Sequence, residues 1–386
     1  MVGKIMTIET FTGQPRPVQP PLLERAAELG IRQVLDRNGE LANDLADPEL
    51  SRENLVRMYE IMVLVRLIDE RGWQLQRSGR VEFWIPGRGQ EAAHIGSALA
   101  LESNDWIFLA DREVGAMLLR GASLESLFAQ FFGRADEPLR GRRLPLLLGD
   151  RRLNVVPCMT QVGSYLPHAA GAAWAAKLQG HNTRTLVYFG DGATSRGEFH
   201  SALNFAGIHR PPVIFMCQNN GWAVSTPNDR QTAVESFAAK GEAYGVRNVR
   251  VDGNDPLAVY AVTREAHQRA PEEGATLIEA VTYRLGFHTS SDNPDLYRQA
   301  EEVTAWEAWD PLPRTRRYLE RRQWWSEAEE QALNERCLGD IQAAIEAAEA
   351  MAGPTPGELF DDIHAQPTWR LEEQRRQLLA DLEREN

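Results

Sequence analysis

The sequence predicts an α/β fold: a parallel sheet covered by helices, with an N-terminal arm and a helical C-terminal region. Three observations carry this. Leu186–Phe189 and Val213–Cys217 are short unbroken apolar runs, the pattern of strands buried on both faces. A helical segment from Glu198 to Ala206 lies between them. Val249–Val251 and Leu277–Val281 repeat the arrangement around a helical segment from Pro256 to Arg269, and strand–helix–strand alternation implies parallel pairing.

Residues 1–50 read as an extended arm, because Pro15, Pro17, Pro20 and Pro21 favour extended backbone; Ile31–Gly39 suits a short strand and turn. The main domain is expected over 51–311. Its first helix starts near Ser51, with Leu55, Met58, Tyr59, Met62, Val63 and Leu67 at helical spacing and Gly72 near its end. Short helices and loops follow from about 90 to 133. Residues 134–163 are loop-rich, with Arg140, Arg142 and Arg143 bunched together. Pro167–Lys177 is a helix of small residues suited to close packing, either in the core or against a subunit. The region 312–386 is helical, with Ser326 and Glu329 placed as a capping box ahead of a long Ala/Glu-rich helix.

The chain has 386 residues and a formal charge of −13, which disfavours nonspecific binding to nucleic acid or anionic membranes. No apolar run approaches the ~20 residues of a membrane helix. The N-terminal residues lack the long apolar stretch of a signal peptide. Cys158, Cys217 and Cys337 match neither a disulfide framework nor a zinc site, so a cytoplasmic location is expected.

In an open parallel sheet, ligands bind where strands end and loops begin. Gly190-Asp191-Gly192 follows one strand, and Asn219-Asn220 follows the next, about 26 residues later. The glycines allow close backbone approach, and the next helix N-terminus offers N–H groups to phosphate oxygens. The Asp191 carboxylate and the Asn220 amide oxygen are hard ligands suited to Mg²⁺. A Gly-Asp-Gly triplet alone is a weak signal; the Asn-Asn pair at this distance, each behind a strand, makes it specific. A nicotinamide site is disfavoured, since no G-x-G-x-x-G opens a strand–helix unit.

This pattern resembles the thiamine diphosphate fingerprint. The stretches FGDGATSRGEFHSALNFAGIHRPPVIFMCQNNGWAVST, VRVDGNDPLAVYAVTREAHQRA and LIEAVTYRLGFHTSSDNPDLYR resemble the alpha subunit of the decarboxylating component of 2-oxo acid dehydrogenase complexes. RVDGND and YR-x-G-x-H-[ST]-x-SD are closer to the branched-chain than to the pyruvate subtype. The resemblance implies a thiamine diphosphate-binding fold. It also implies Mg²⁺ on the Asp191 and Asn220 side chains and the Trp222 carbonyl. Gly190, Gly192, Ala193 and Ala110–Arg112 would contact the cofactor, with Arg112 on the diphosphate. Thr160, Gln161 and Val162 would prop it, Val162 as an apolar wedge. Phe83, Asp111 and Thr160 would meet the substrate, and His288 would orient and donate a proton.

The activity implied is oxidative decarboxylation of branched-chain 2-oxo acids with acyl transfer to lipoyl. The partners implied are a beta subunit, in an alpha2-beta2 heterotetramer, and a lipoyl-bearing acyltransferase. A pyruvate or acetoin dehydrogenase alpha subunit and a noncatalytic nucleotide-binding subunit are the rival readings. The chain departs from the pattern at Asp111 (commonly Tyr), Gln218 (often charged) and Leu147 (where many members carry His). Thr289 stands where animal members have a kinase-regulated Ser. Thr289, Ser290 and Ser291 are therefore either a phosphorylation site or a hydroxyl-rich loop.

Overall fold

The computed structural model describes residues 18–385 apart from 43, 136, 137 and 158. Pro15, Pro17 and Cys158 lie outside the described residues. Seven strands form one parallel sheet: β1 (Ile31–Arg32), β2 (Trp106–Phe108), β3 (Val155–Val156), β4 (Thr185–Gly190), β5 (Val213–Asn219), β8 (Arg247–Asp252) and β9 (Thr276–Val281), in the order β1-β8-β9-β5-β4-β2-β3. A separate antiparallel hairpin, β6 (Trp222–Ala223) with β7 (Thr226–Pro227), projects after β5. The four strands expected from the sequence are all present and lie side by side in the sheet, in the order β8-β9-β5-β4.

Their composition follows from the layers. Leu186, Tyr188, Ile214, Met216 and Ile278 face one buried cluster, while Val187, Phe189, Phe215, Cys217 and Leu277 face another. Both faces are dry, so both alternate positions are apolar. The first cluster is closed by α1 (Arg52–Arg77), α2 (Glu91–Leu99), α3 (Val114–Leu119), α4 (Leu124–Phe131) and α7 (Pro256–Glu273). The second is closed by α5 (Leu166–Leu178) and α6 (Gly197–His209). In α5 the small residues Ala169, Ala170 and Ala173 are buried in that cluster.

The helix α1 runs past Gly72 to Arg77. Gly72 is not a stop signal: a Cβ there would fall 2.2 Å from the fully buried Trp84 indole. Glycine inside a helix costs about 1 kcal/mol against alanine. Burying an indole of roughly 200 Å² returns up to about 5 kcal/mol.

The N-terminal segment and the tail both enter this architecture. Strand β1 pairs with β8, Ile31 opposite Arg250. Asp255 caps α7 through the Leu257 and Ala258 N–H groups and also accepts the Val34 and Leu35 N–H groups at 2.8 and 2.6 Å. Arg314, on α9 (Pro311–Arg321), is wholly buried; it pairs with Asp252 at 2.8 Å and donates to the carbonyls of Leu35 and Asp36. After α8 (Ala300–Glu307) and α9, the long helix α10 (Glu327–Ala350) puts Leu333, Cys337, Ile341 and Ile345 into the first cluster. The Ser326 hydroxyl caps α10 by accepting the Glu329 N–H, and Glu329 takes the hydroxyl proton rather than a backbone N–H. The last helix, α11 (Trp369–Glu385), packs on the turn at Pro356–Phe360. Among the described residues no helix is long and apolar enough to cross a membrane.

Candidate functional site

The register of two central strands builds the site. Gly190, the last residue of β4, pairs with Gln218 of β5, so Asp191 emerges beside Asn219-Asn220. Asp191 is 1 % exposed; its carboxylate accepts Gln231 Nε2 at 2.6 Å and the Asn220 backbone N–H. Burial pushes its pKa up. Asn220 Nδ2 donates to Gln90 Oε1 at 3.1 Å, and its Oδ1 accepts the Trp222 N–H at 3.2 Å. The Asn219 amide is held from behind by the buried Glu279, at 2.7 Å. A Cβ on Gly192 would lie 2.7 Å from Ala223 Cβ, so glycine is required where the two loops meet. The residues after Asp191 form a 3-10 turn, Asp191–Ser195, and α6 starts only at Gly197. The helix expected over Glu198–Ala206 is therefore α6, and a 3-10 turn separates it from the Gly-Asp-Gly motif.

These groups form the polar end of a cavity of about 440 Å³. Of the site residues expected from sequence, Phe83, Ala110, Asp111 and Arg112 line it. So do Thr160, Val162, the four residues Gly190–Ala193, Asn220, Trp222 and His288. Gln161 does not; its carbonyl accepts Ser164 instead. Leu144, Leu146, Leu147 and Met159 add apolar lining. Val162 is 49 % exposed, available as a platform. Thr289 reaches the cavity, whereas Ser290 is buried, its Oγ accepting the Trp84 N–H at 3.1 Å.

Arg112 is 6 % exposed and donates to the Pro86 carbonyl at 2.8 Å, to Asp111 at 3.1 Å and to His288 Nδ1 at 3.3 Å. An imidazole accepting at Nδ1 carries its proton on Nε2. Burial, then the Arg112 and Arg284 charges, hold the His288 pKa down to about 4, so the ring is neutral. Glu113 supports this loop: one carboxylate oxygen accepts the N–H groups of Ala110, Asp111 and Arg112, and the other accepts Gln218. A second chain of contacts joins the hairpin to the histidine loop. Arg284 donates to the Val224 carbonyl and to Tyr297 Oη, at 2.8 and 2.7 Å. Tyr297 donates to Asp292, which accepts the His288 N–H. Val224 sits at φ 54°, the left-handed region that a β-branched residue rarely occupies.

Sequence reading missed Gln90, Glu113, Gln231 and Val224, all from loops or helix ends with no motif of their own. Only the position of Glu113, beside Arg112, carried a signal: a buried arginine loop needs an acid.

Among the described residues no three His, Cys, Asp or Glu side chains cluster as a metal site. Asp191, Asn220 and the Trp222 carbonyl offer one charge and two neutral oxygens, a set that suits Mg²⁺ only when phosphate oxygens join it. The cavity fits such a ligand: its lining joins the buried Asp191 and Asn220 oxygens, Arg112 and apolar side chains, and Gln90, in contact with Asn220, carries a buried Nε2 without a partner among the described residues.

Residues 59–357 match the family model described as the dehydrogenase E1 component. The mouse 2-oxoisovalerate dehydrogenase subunit alpha, mitochondrial, is 38 % identical over 368 residues, covering 95 % of this chain and 83 % of the relative. The Dictyostelium discoideum protein of the same name is 38 % identical over 90 % of this chain and 80 % of its own length. An Arabidopsis thaliana homologue, subunit alpha 1, is 39 % identical over 89 % and 73 %. These names correct the cytoplasmic expectation: the relatives are mitochondrial proteins, and widely spaced cysteines cannot tell one reducing compartment from another. Both buried free thiols, Cys217 and Cys337, are core packing. The chain belongs to the dehydrogenase E1 component family.

Proposed function

We propose that this chain is the alpha subunit of a branched-chain 2-oxo acid dehydrogenase, acting in the oxidative decarboxylation of branched-chain 2-oxo acids with lipoyl as acceptor. The observation that carries the reading is the convergence of Asp191, Asn220 and the Trp222 loop at one end of an apolar cavity closed by Arg112 and His288.

Asp191, Asn220 and the Trp222 carbonyl would hold Mg²⁺, and Arg112 would turn its forked donors on the diphosphate. Gly190, Gly192, Ala193 and Ala110 bring backbone close to the cofactor, and Thr160 to Val162 support its ring system. Thiamine diphosphate, when bound, supplies the carbanion that adds to the 2-oxo carbon and takes up the electron pair left by CO₂. The rest falls to the protein. Phe83, with Leu144, Leu146 and Leu147 of the same cavity, would receive an aliphatic side chain and keep water out. Asp111 and Thr160 face the substrate's polar end. His288, neutral and protonated on Nε2, would donate that proton to the lipoyl sulfur released when the other sulfur takes the acyl group and the S–S bond opens.

The aminopyrimidine end of the cofactor requires an acid from a beta chain, so the working unit is an alpha2-beta2 heterotetramer serving a lipoyl-bearing acyltransferase. Calorimetry with thiamine diphosphate and Mg²⁺ on that assembly tests the site. Asp191→Ala is expected to abolish binding, and binding equal to wild type removes the reading. Turnover of 3-methyl-2-oxobutanoate well above pyruvate and acetoin is expected from the assembly and none from this chain alone. A preference for pyruvate or acetoin transfers the chain to that subtype.

A further inference from the structure

We infer that Gln90 is a positioning residue for the Asn220 amide and a donor to the anion bound beside it. Gln90 precedes α2 and is 0 % exposed. A side-chain amide can rotate end for end at little cost, and only one orientation of Asn220 presents oxygen to a cation. The Trp222 N–H, which can only donate, holds Asn220 Oδ1 at 3.2 Å, and Gln90 Oε1 accepts Nδ2 from the other end at 3.1 Å, so the two contacts together remove that freedom. Asn220 Oδ1 is thereby left beside the Trp222 N–H, on the side of the hairpin whose carbonyl would share the cation.

The other end of the same amide is the second observation. Gln90 is among the residues around the cavity, and its Nε2 is buried with no hydrogen-bond partner among the described residues. Buried amide donors are nearly always satisfied, so an acceptor is expected to arrive with the ligand. The chemistry that fits is an oxygen of a metal-bound phosphate group. Gln90 thus fixes a metal ligand with its oxygen and meets the metal's anion with its nitrogen. Sequence gives no hint of this role, since Gln90 lies far from both halves of the fingerprint.

The inference rests on the cofactor reading above, and the test separates the two. The assembled complex carrying Gln90→Leu, Gln90→Glu or Asp191→Ala is titrated with Mg²⁺ at fixed thiamine diphosphate, followed by calorimetry. The melting temperature of each variant without ligand is recorded alongside. Gln90→Leu is expected to raise half-saturating Mg²⁺ ~10–100-fold, the usual cost of losing a group that orients a metal ligand, with the unliganded melting temperature unchanged. Gln90→Glu keeps an acceptor for Asn220 but loses the donor and sets a negative charge beside the anion, so it is expected to weaken binding ~10-fold or more. If Gln90→Leu binds like wild type while Asp191→Ala does not, Gln90 has no such role. If Gln90→Glu binds like wild type, the donor half of the inference fails. Binding by Asp191→Ala defeats the underlying site instead.

Discussion

Replacing Gly192 with alanine places a methyl 2.7 Å from Ala223 Cβ. Carbon atoms in contact sit about 3.5–4.0 Å apart, so the two loops must separate by roughly 1 Å. Neither partner can swing away, because both methyls are fixed to backbone. Overpacking of this size costs about 1–3 kcal/mol, which a chain of this size survives. Its local effect is larger. Ala223 follows Trp222, whose carbonyl is the proposed third protein ligand, and Mg²⁺ demands its oxygens at about 2.0–2.1 Å. Gly192→Ala is therefore expected to fold, to melt slightly lower and to bind thiamine diphosphate with Mg²⁺ ~10–100-fold more weakly. Adding Ala223→Gly removes the obstructing methyl; the nearest remaining atom, the residue 223 Cα, is then 3.6 Å away, an ordinary contact. The double variant should regain most of the lost affinity in the same calorimetric titration, a coupling that only neighbours show. Wild-type binding by the single variant, or no recovery in the double, would refute the close-approach argument.

Three further outcomes are expected. The unfolded chain binds a proton at His288 below about pH 6.5, but the folded chain does not until about pH 4, so stability falls as pH drops through that window. Denaturant midpoints at pH 7 and pH 5 should differ less for His288→Gln than for wild type; an equal difference would show that the ring is not held neutral. Val224→Gly relieves the left-handed valine and should raise stability by about 0.5–1 kcal/mol after the unfolded-state cost of glycine, and a lowered midpoint would locate the strain elsewhere. Arg314→Met leaves Asp252 and Asp255 buried without their cation, and should lower unfolding free energy by about 3–5 kcal/mol; a loss under about 1 kcal/mol contradicts the ion-pair assignment.

What the sequence revealed depended on how many residues each feature spends. β4, β5 and β9 run six or seven residues and are buried along nearly their whole length, so they leave apolar runs that cannot be missed, whereas β8 (RNVRVD) shows only Val249 and Val251. β2 and β3, at three and two residues, leave no periodicity and were invisible. Gly72 misled as a helix end because its reason is Trp84, a tertiary partner. In the site, Asp191 and Asn220 were legible because two adjacent strands deliver them with a fixed spacing. Gln90 and Gln231 reach the same place from elsewhere in the chain, and only folded geometry shows that one orients Asn220 and the other touches Asp191.

The clasp around Arg314 has a kinetic consequence. It ties residues 33–36 to positions 252, 255 and 314, groups separated by more than two hundred residues of chain. Ribosomal synthesis delivers one half of the clasp long before the other, so the edge of the sheet stays open until α9 has emerged. Contacts spanning such loops tend to form after the folding barrier, and interactions absent from the transition state govern how slowly a protein comes apart. The clasp therefore acts chiefly as a brake on unfolding, and a proteolytic cut before α9 would release the first strand along with the last helices.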